Sequence, residues 1–87
     1  MRESHIERTV SQHAHKAGWL GIKIQAVNFR GLPDHLYIKA GRCVFVEFKA
    51  PGKDPRPLQS LIHDILMERG AEVHIIDNIE AGKELLK

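Results

Sequence analysis

Two β-rich runs joined by a glycine-containing turn constrain the fold of this chain most strongly: Leu36–Ala40 and Cys43–Lys49. Such a pair is typical of a β-hairpin. The second run carries an acid, Glu47, inside the apolar sequence Val-Phe-Val-Glu-Phe. Burying an acid there is unfavourable unless a cation or a metal ion compensates its charge. The hairpin therefore predicts both a sheet and a charged site on it.

The register of this hairpin decides which polar side chains share a face. A loop at residues 40–41 places Asp34 directly opposite Glu47, whereas a loop at residues 41–42 places Asp34 opposite Lys49 and diagonal to Glu47. Both loops put the three side chains on one face. A three-residue loop would send Asp34 to the other face, because side chains alternate along a strand with a period of two residues.

The other elements follow from hydrophobic periodicity and from residues typical of caps and turns. The Leu58, Leu61, Ile62, Ile65 and Leu66 side chains form the clearest amphipathic stripe, and Gly82 weakens the last predicted helix. The predicted order is α-β-β-β-α-β-α, a mixed sheet with helices packed on it, in one domain of residues 1–87. Besides the hairpin, it comprises a helix at 4–17, a strand at 21–27, a helix from Pro57 to Gly70, a strand at 71–76 and a helix at 79–86.

The first helix offers a further acid. Ser4-His-Ile-Glu7 fits a capping box, in which the serine oxygen and the glutamate carboxylate bind free amides of the first turn. Glu7 is equally compatible with a role in the charged site. Glu3, one turn earlier, is the alternative residue for that role.

Composition sets broad limits on function. The 87 residues carry 13 Lys and Arg against 11 Asp and Glu, a net charge of +2, which neither indicates nor excludes a nucleic-acid partner. The single cysteine, Cys43, excludes an intramolecular disulfide and a cysteine-based zinc site, and it favours an intracellular setting. No apolar run approaches the length of a membrane span, and Met1–His5 lacks the apolar segment of a signal peptide. A chain of this size often gains buried surface by oligomerisation, so we expect a homodimer.

Asp34 and Glu47 form the expected ligand pair for a hard divalent cation, because Mg²⁺ prefers oxygen ligands. The backbone carbonyl of Phe48 is the expected third ligand. Lys49, on the face of Glu47, can orient an attacking water or offset charge in the transition state. The set predicts a metal site for hydrolysing phosphodiesters. The alternatives are a turn aspartate at position 34 and a structural ion pair between Glu47 and Lys49.

These motifs, in this order, resemble a known family. Gly31-Leu-Pro-Asp34, then Val44-Phe-Val-Glu-Phe-Lys-Ala-Pro-Gly52, then Pro57-Leu-Gln59 opening a helix, are similar to the PD-(D/E)XK nuclease superfamily, specifically its small stand-alone virus-type replication-repair nuclease (VRR-NUC) domains. The resemblance spans from helix one to the strand ending at Ile76. It implies an α/β, restriction-endonuclease-like mixed sheet flanked by helices.

The resemblance also implies roles for individual residues. Glu7 corresponds best to the helix-one glutamate of the family, and Gln59 to its helix glutamine; Asp34, Glu47 and Lys49 correspond to its strand motif. The Mg²⁺ or Mn²⁺ ligands would then be Asp34, Glu47 and the Phe48 carbonyl, with Glu7 acting directly or through water. Such domains are metal-dependent DNA nucleases, and the stand-alone phage and bacterial forms resemble dimers that cut branched DNA such as four-way junctions.

Two alternatives from the sequence are a binding module that has kept a nuclease-like scaffold and a nuclease acting on single-stranded or nicked DNA. His35 occupies a position that is often basic in the family, which would make a phosphate contact there depend on pH. The six histidines contain no His-Glu-x-x-His motif, so a histidine metal site is not expected.

Basic and aromatic residues outside the motifs have less specific interpretations. Arg30, Lys53 and Arg56 flank the motifs and could contact phosphates, although solvated loops are the commoner explanation. Trp19 and Phe29 are expected in the core or in a dimer interface rather than as base-stacking surfaces.

Overall fold

A computed structural model describes residues 1–26 and 28–87. Its elements follow the predicted order: α1 Glu3–Lys16, β1 Leu20–Lys23, β2 His35–Lys39, β3 Arg42–Phe48, α2 Pro57–Glu68, β4 Glu72–Ile76 and α3 Ile79–Leu85. The mixed α/β fold predicted from the sequence is confirmed. Across the described ranges, no helix combines the length and apolarity needed to cross a membrane.

The β2–β3 hairpin closes through a two-residue loop. Lys39 pairs with Arg42, and the loop residues Ala40 and Gly41 have φ angles of 49° and 82°. Positive φ at both loop residues gives the chain the twist that antiparallel strands need. The register is therefore the one with the loop at residues 40–41, and it aligns Asp34, one residue before β2, with Glu47.

The four strands form one sheet in the order β1-β2-β3-β4. β1, β2 and β3 are antiparallel, and β4 pairs with β3 in parallel through the α2 crossover. β1 departs from the prediction of a half-buried strand over 21–27, because it ends at Lys23 and all four of its residues are exposed. It forms an open edge of the sheet, so packing does not cover either face; Val27 lies outside the described residues.

The apolar core lies between one face of the sheet and helices α1 and α3. That face presents Tyr37 from β2 with Val44, Val46 and Phe48 from β3, all buried. α1 buries Ile6, Val10 and Ala14 at helical spacing against it, and Leu86, the residue after α3, is buried in the same core. These alternating positions leave the intervening residues, among them Glu47, to project to the opposite face.

α2 covers that opposite face in a way the sequence did not predict. Its apolar stripe is only partly buried: Ile62 and Leu66 are half-buried, whereas Leu58, Leu61 and Ile65 are exposed. The residue that α2 buries most is His63, at 4% exposure. α2 is therefore turned so that a polar line, Gln59 and His63, points at the sheet.

α3 begins at Asn78, whose side chain accepts a hydrogen bond from the amide of Ala81 at 2.8 Å, as predicted for a cap. Gly82 is buried against α1, and a Cβ at that position would lie 2.5 Å from Cγ2 of Val10. The glycine that lowers the helix propensity of α3 thus allows the two helices to approach closely.

Candidate active site

Glu47 is the charged centre of the sheet face beneath α2. It is only 5% exposed. Its Oε2 accepts a hydrogen bond from Nε2 of Gln59 at 3.0 Å and lies 3.3 Å from Nζ of Lys49. An amide and an ammonium group thus compensate a carboxylate that would otherwise be costly to bury.

Gln59 connects the start of α2 to this carboxylate. Its Oε1 accepts a hydrogen bond from the backbone N–H of Arg56 at 3.0 Å, while its amide nitrogen donates to Glu47. Both ends of the side-chain amide are therefore occupied, which fixes its orientation. The residue caps the helix and positions the acid at the same time, and only the family resemblance pointed to it in the sequence.

The Gly31-Leu-Pro turn delivers Asp34 to the same region. Gly31 has a φ of 89°, and a Cβ there would lie 2.8 Å from Cγ1 of Ile62, so the turn packs directly against α2. The backbone carbonyl of Asp34 accepts a hydrogen bond from the amide of Ile24 at 2.8 Å, which ties the turn to the end of β1. Asp34 is thereby held beside Glu47.

The environment of the Asp34 carboxyl favours binding of a proton or of a metal ion. Its Oδ1 is buried and has no hydrogen-bond partner among the described residues. Burial, and then the adjacent Glu47 carboxyl, together raise the pKa of Asp34 to about 7. Two carboxyl groups in contact stabilise each other only when they share a proton or a cation.

Glu7 reaches Asp34 and His35 from α1. One oxygen lies 3.7 Å from Nζ of Lys23 and the other 3.7 Å from Nδ1 of His35. Glu7, Asp34 and His35 each offer one ligand atom within 4.8 Å of the others. The Glu7 carboxylate therefore lies next to the Asp34 carboxyl, although the two residues are far apart in sequence.

The predicted capping box is wrong. α1 begins at Glu3 with Arg2 as its N-cap, and the Arg2 side chain makes no capping bond within the part of the chain that the structure describes. Ser4 lies inside the helix, which leaves the Glu7 carboxylate free to face the sheet. Glu3 is exposed in the first turn and is not part of the Glu7 cluster.

His35 departs from the expectation of an exposed, pH-dependent phosphate contact. It is 7% exposed, with its ring stacked on Tyr37 at 5.7 Å and edge-on to Phe48 at 5.2 Å. Burial lowers the pKa of His35, against the opposing effect of the Glu7 charge. A neutral imidazole beside two acids makes His35 a candidate ligand, which the search for histidine motifs did not reveal.

His63 is a second buried histidine that sequence reasoning missed. Its Nε2 has no hydrogen-bond partner among the described residues, and its pKa is lowered first by burial and then by the charge of Lys49. The available signal was its position one helical turn after Gln59, on the inward face of α2.

The predicted site residues thus converge, from α1, the turn before β2, β3 and the first turn of α2. Glu7 and His35 lie on one side of Asp34, and Glu47 with Lys49 and Gln59 on the other. Phe48, the last residue of β3, has a buried side chain. That its backbone carbonyl binds the metal ion stays a prediction.

A groove of about 630 Å³ opens onto the acids and is lined by Asp34, Glu47 and Gln59 together with Arg30 and Arg56. Phe29 also lines it, and 54% of this residue is exposed, so Phe29 does not lie in the core; the alternative position in a dimer interface stays a prediction. Trp19, by contrast, is 5% exposed and belongs to the core, as predicted.

Comparison with known proteins connects this geometry to a family. No family model matches the chain. A protein of Acyrthosiphon pisum secondary endosymbiont phage 1, named "Putative nuclease p44", is 35% identical over 79 residues, which cover 90% of this chain and 85% of that protein. A solved structure described as a VRR_NUC domain superposes with a TM-score of 0.87 at 24% identity, over 98% of this chain and 95% of the other. The phage relative shows that this chain belongs to the same family as that putative nuclease, and the superposition shows that the chain has the fold of a VRR_NUC domain.

Proposed function

We propose that this protein is a divalent-metal-dependent deoxyribonuclease that hydrolyses phosphodiester bonds. The observation that carries the proposal is the meeting of the Asp34 and Glu47 carboxyls, with Lys49 3.3 Å from Glu47, where the groove reaches the sheet. An isolated structural ion pair accounts for Glu47 and Lys49. It does not account for a second, half-buried acid beside them.

The donor set fits Mg²⁺ or Mn²⁺. Asp34 provides a buried oxygen without a partner among the described residues, and Glu47 provides a second carboxylate next to it. Hard divalent cations take such oxygen ligands. Asp34, Glu47 and the carbonyl of Phe48 would hold the ion, with Glu7 acting directly or through water.

Each side chain has a definable part in the reaction. The bound ion supplies charge neutralisation at the phosphate and lowers the pKa of water. The Lys49 ammonium lies 3.3 Å from the Glu47 carboxylate. From there it can donate hydrogen bonds to the attacking water or to a phosphate oxygen. Gln59 holds the Glu47 carboxylate in one orientation, and Arg30 and Arg56 offer positive charge to the DNA backbone along the groove.

The proposed substrate is branched DNA such as a four-way junction, cut by a homodimer. A two-fold dimer carries two sites related by symmetry, which suits paired cuts in a branched substrate. Exposed apolar residues of α2, among them Leu61 at 56% and Ile65 at 39%, support association of two copies. Sedimentation at several concentrations tests this part, since a chain that stays monomeric at high concentration excludes paired cutting.

The test of the activity is cleavage of labelled linear, flapped, nicked, single-stranded and four-way DNA with Mg²⁺, with Mn²⁺ and with a chelator. Wild-type protein should cut the four-way substrate only with metal, and Glu47→Ala and Lys49→Ala should bind it without cutting. Uncut DNA in every lane, with normal binding, would instead identify a binding module. Cleavage confined to single-stranded or nicked DNA would identify a nuclease that needs one site.

A further inference from the structure

We infer that the exposed ring of Phe29 is a stacking surface for an unpaired nucleobase next to the cleavage site. The inference rests on the proposed nuclease function and adds to it the form of DNA that the groove accepts. Phe29 is 54% exposed and lines the same groove as Asp34 and Glu47. Together with the exposed Leu58 it gives the groove an apolar patch, and such patches mark ligand-binding grooves.

The dimensions and lining of the groove suit a nucleotide. Its volume of about 630 Å³ lies within the range of small-molecule pockets. Leu58, 44% exposed, adds a second apolar side chain to the lining, while Arg30 and Arg56 add two guanidinium groups. An aromatic ring between basic side chains is the arrangement by which proteins bind single-stranded nucleic acid, because the base stacks while the phosphates meet positive charge.

The chemistry selects unpaired over paired DNA. In a continuous duplex both faces of each base are covered by neighbouring bases, so an aromatic side chain gains no stacking contact. At a branch point, a flap or a single-stranded gap a base can leave the stack at low cost. Phe29 therefore favours DNA whose strand is already open beside the scissile phosphate.

A second copy of the chain is the competing occupant of the same apolar surface. A two-fold interface places the same patch on both subunits. Centred on this groove, it would bring Arg30 and Arg56 of one copy towards the same arginines of the other. Like charges brought together in an interface are unfavourable, whereas a polyanion neutralises them. The charges of the groove therefore favour DNA as its occupant.

The experiment measures binding in a chelator, where no cleavage occurs. A single-stranded oligonucleotide and a matched blunt duplex, each carrying one 2-aminopurine, are titrated with wild-type protein, Phe29→Leu, Phe29→Tyr and Met67→Ala. Phe29→Leu keeps apolar volume but removes the flat ring, and Phe29→Tyr keeps the ring. Met67→Ala is the control, because Met67 is 47% exposed on α2 and does not line the groove.

We expect Phe29→Leu to bind the single strand about 5- to 100-fold more weakly, the range expected for losing one stacked base, and the duplex within about twofold of wild type. Phe29→Tyr and Met67→Ala should match wild type on both. Wild-type protein should also change the 2-aminopurine emission of the single strand. Equal single-strand binding by Phe29→Leu would overturn the inference. Unchanged emission with wild-type protein would also overturn it, and that measurement does not depend on whether a variant folds.

Two further outcomes separate the possible explanations. If Phe29→Leu converts a dimer to a monomer in sedimentation, the ring contacts a second copy and the inference is overturned. If wild-type protein stacks the base but cuts no DNA with Mg²⁺ or Mn²⁺, the nuclease proposal fails while the stacking surface stands.

Discussion

Gln59 and Glu47 are joined by a hydrogen bond of 3.0 Å from the amide nitrogen on α2 to the carboxylate on β3. The oxygen of the same side-chain amide accepts a hydrogen bond from the backbone N–H of Arg56. One side chain therefore sets both the start of the helix and the orientation of the acid. Displacement of the helix start would therefore release the carboxylate from its position beside Lys49. Coupling of this kind keeps a catalytic acid preorganised.

Replacing Gln59 with leucine should lower the single-turnover cleavage rate about 10- to 100-fold and raise the Mg²⁺ concentration needed for half-maximal rate, because partners of metal ligands contribute on this scale. The exposed neighbour Ser60 provides the control, and Ser60→Ala should stay within about twofold of wild type. Equal rates for the two variants would show that the hydrogen bond to Glu47 has no part in catalysis.

Replacing Lys49 with methionine should lower the cleavage rate by about 100-fold or more while DNA affinity changes little, because a charge aimed at the transition state contributes on this scale. The variant also leaves Glu47 buried without its ammonium partner. Its unfolding free energy in a chelator should therefore fall relative to wild type, and Mg²⁺ should restore part of it. Lys83→Met, at an exposed position of α3, is the matched control. A variant that cuts at the wild-type rate would remove Lys49 from the mechanism.

Asp34 should make the metal-free protein less stable as the pH rises. Its pKa is about 7 in the folded protein against an ordinary value of 3.8, so the folded state holds the proton that the unfolded state has lost. The contribution to stability is complete below pH 4 and disappears as the pH rises through 7. Asp34→Asn should remove this pH-dependent loss of stability.

Relative to wild type, Asp34→Asn should gain about 1–2 kcal/mol of unfolding free energy between pH 4 and 8, less than the full shift implies because water screens a partly exposed charge. Urea denaturation in a chelator at each pH measures the difference. The subtraction does not fully remove the effects of His35 and His63, whose lowered pKa values destabilise the fold in acid, because the Asp34 charge raises both pKa values and its removal lowers them further; this change adds to the expected trend. Asp54→Asn, in an exposed loop, should show no such trend, and a constant offset for Asp34→Asn would contradict the assignment.

Gly82→Ala should destabilise the protein although alanine favours helix. The added Cβ would lie 2.5 Å from Val10, and such over-packing costs about 1–3 kcal/mol. The gain in helix propensity is about 1 kcal/mol. We expect a net loss of about 1–2 kcal/mol in urea denaturation, because this approach is far inside van der Waals contact.

A double-mutant cycle with Val10→Ala checks the mechanism of that loss. In the Val10→Ala background, Gly82→Ala should be neutral or stabilising, since the methyl groups it strikes are gone. If Gly82→Ala costs the same in both backgrounds, steric contact with Val10 is not the cause.

The sequence was sufficient for the features that depend on local rules. Alternation of apolar and polar residues together with a two-residue turn specified β2 and β3 and put Asp34 on the face of Glu47, whereas the structure chose the loop at residues 40–41 over the loop at 41–42. An asparagine cap specified the start of α3. These features are readable because each depends on neighbours a few residues apart, and the order of the motifs was enough to indicate the family.

Sequence patterns failed where a residue could satisfy two local roles or where burial depended on a distant partner. Glu7 fitted a capping box, yet α1 starts one residue before Ser4 and the carboxylate faces His35 instead. The stripe on α2 predicted a buried face, but Leu61 and Ile65 are exposed because the helix turns Gln59 and His63 towards the sheet.

The sequence by itself determined the order of the elements, the face that Asp34 shares with Glu47 and Lys49, and the acids that could bind a metal ion, because side-chain alternation along one strand fixes these locally. Only the tertiary structure decided that Glu7 joins the site, that two histidines are buried beside it and that Phe29 opens onto its groove. The physical reason is that these placements depend on how helices from opposite faces of the sheet pack around one strand end. No local pattern encodes that packing.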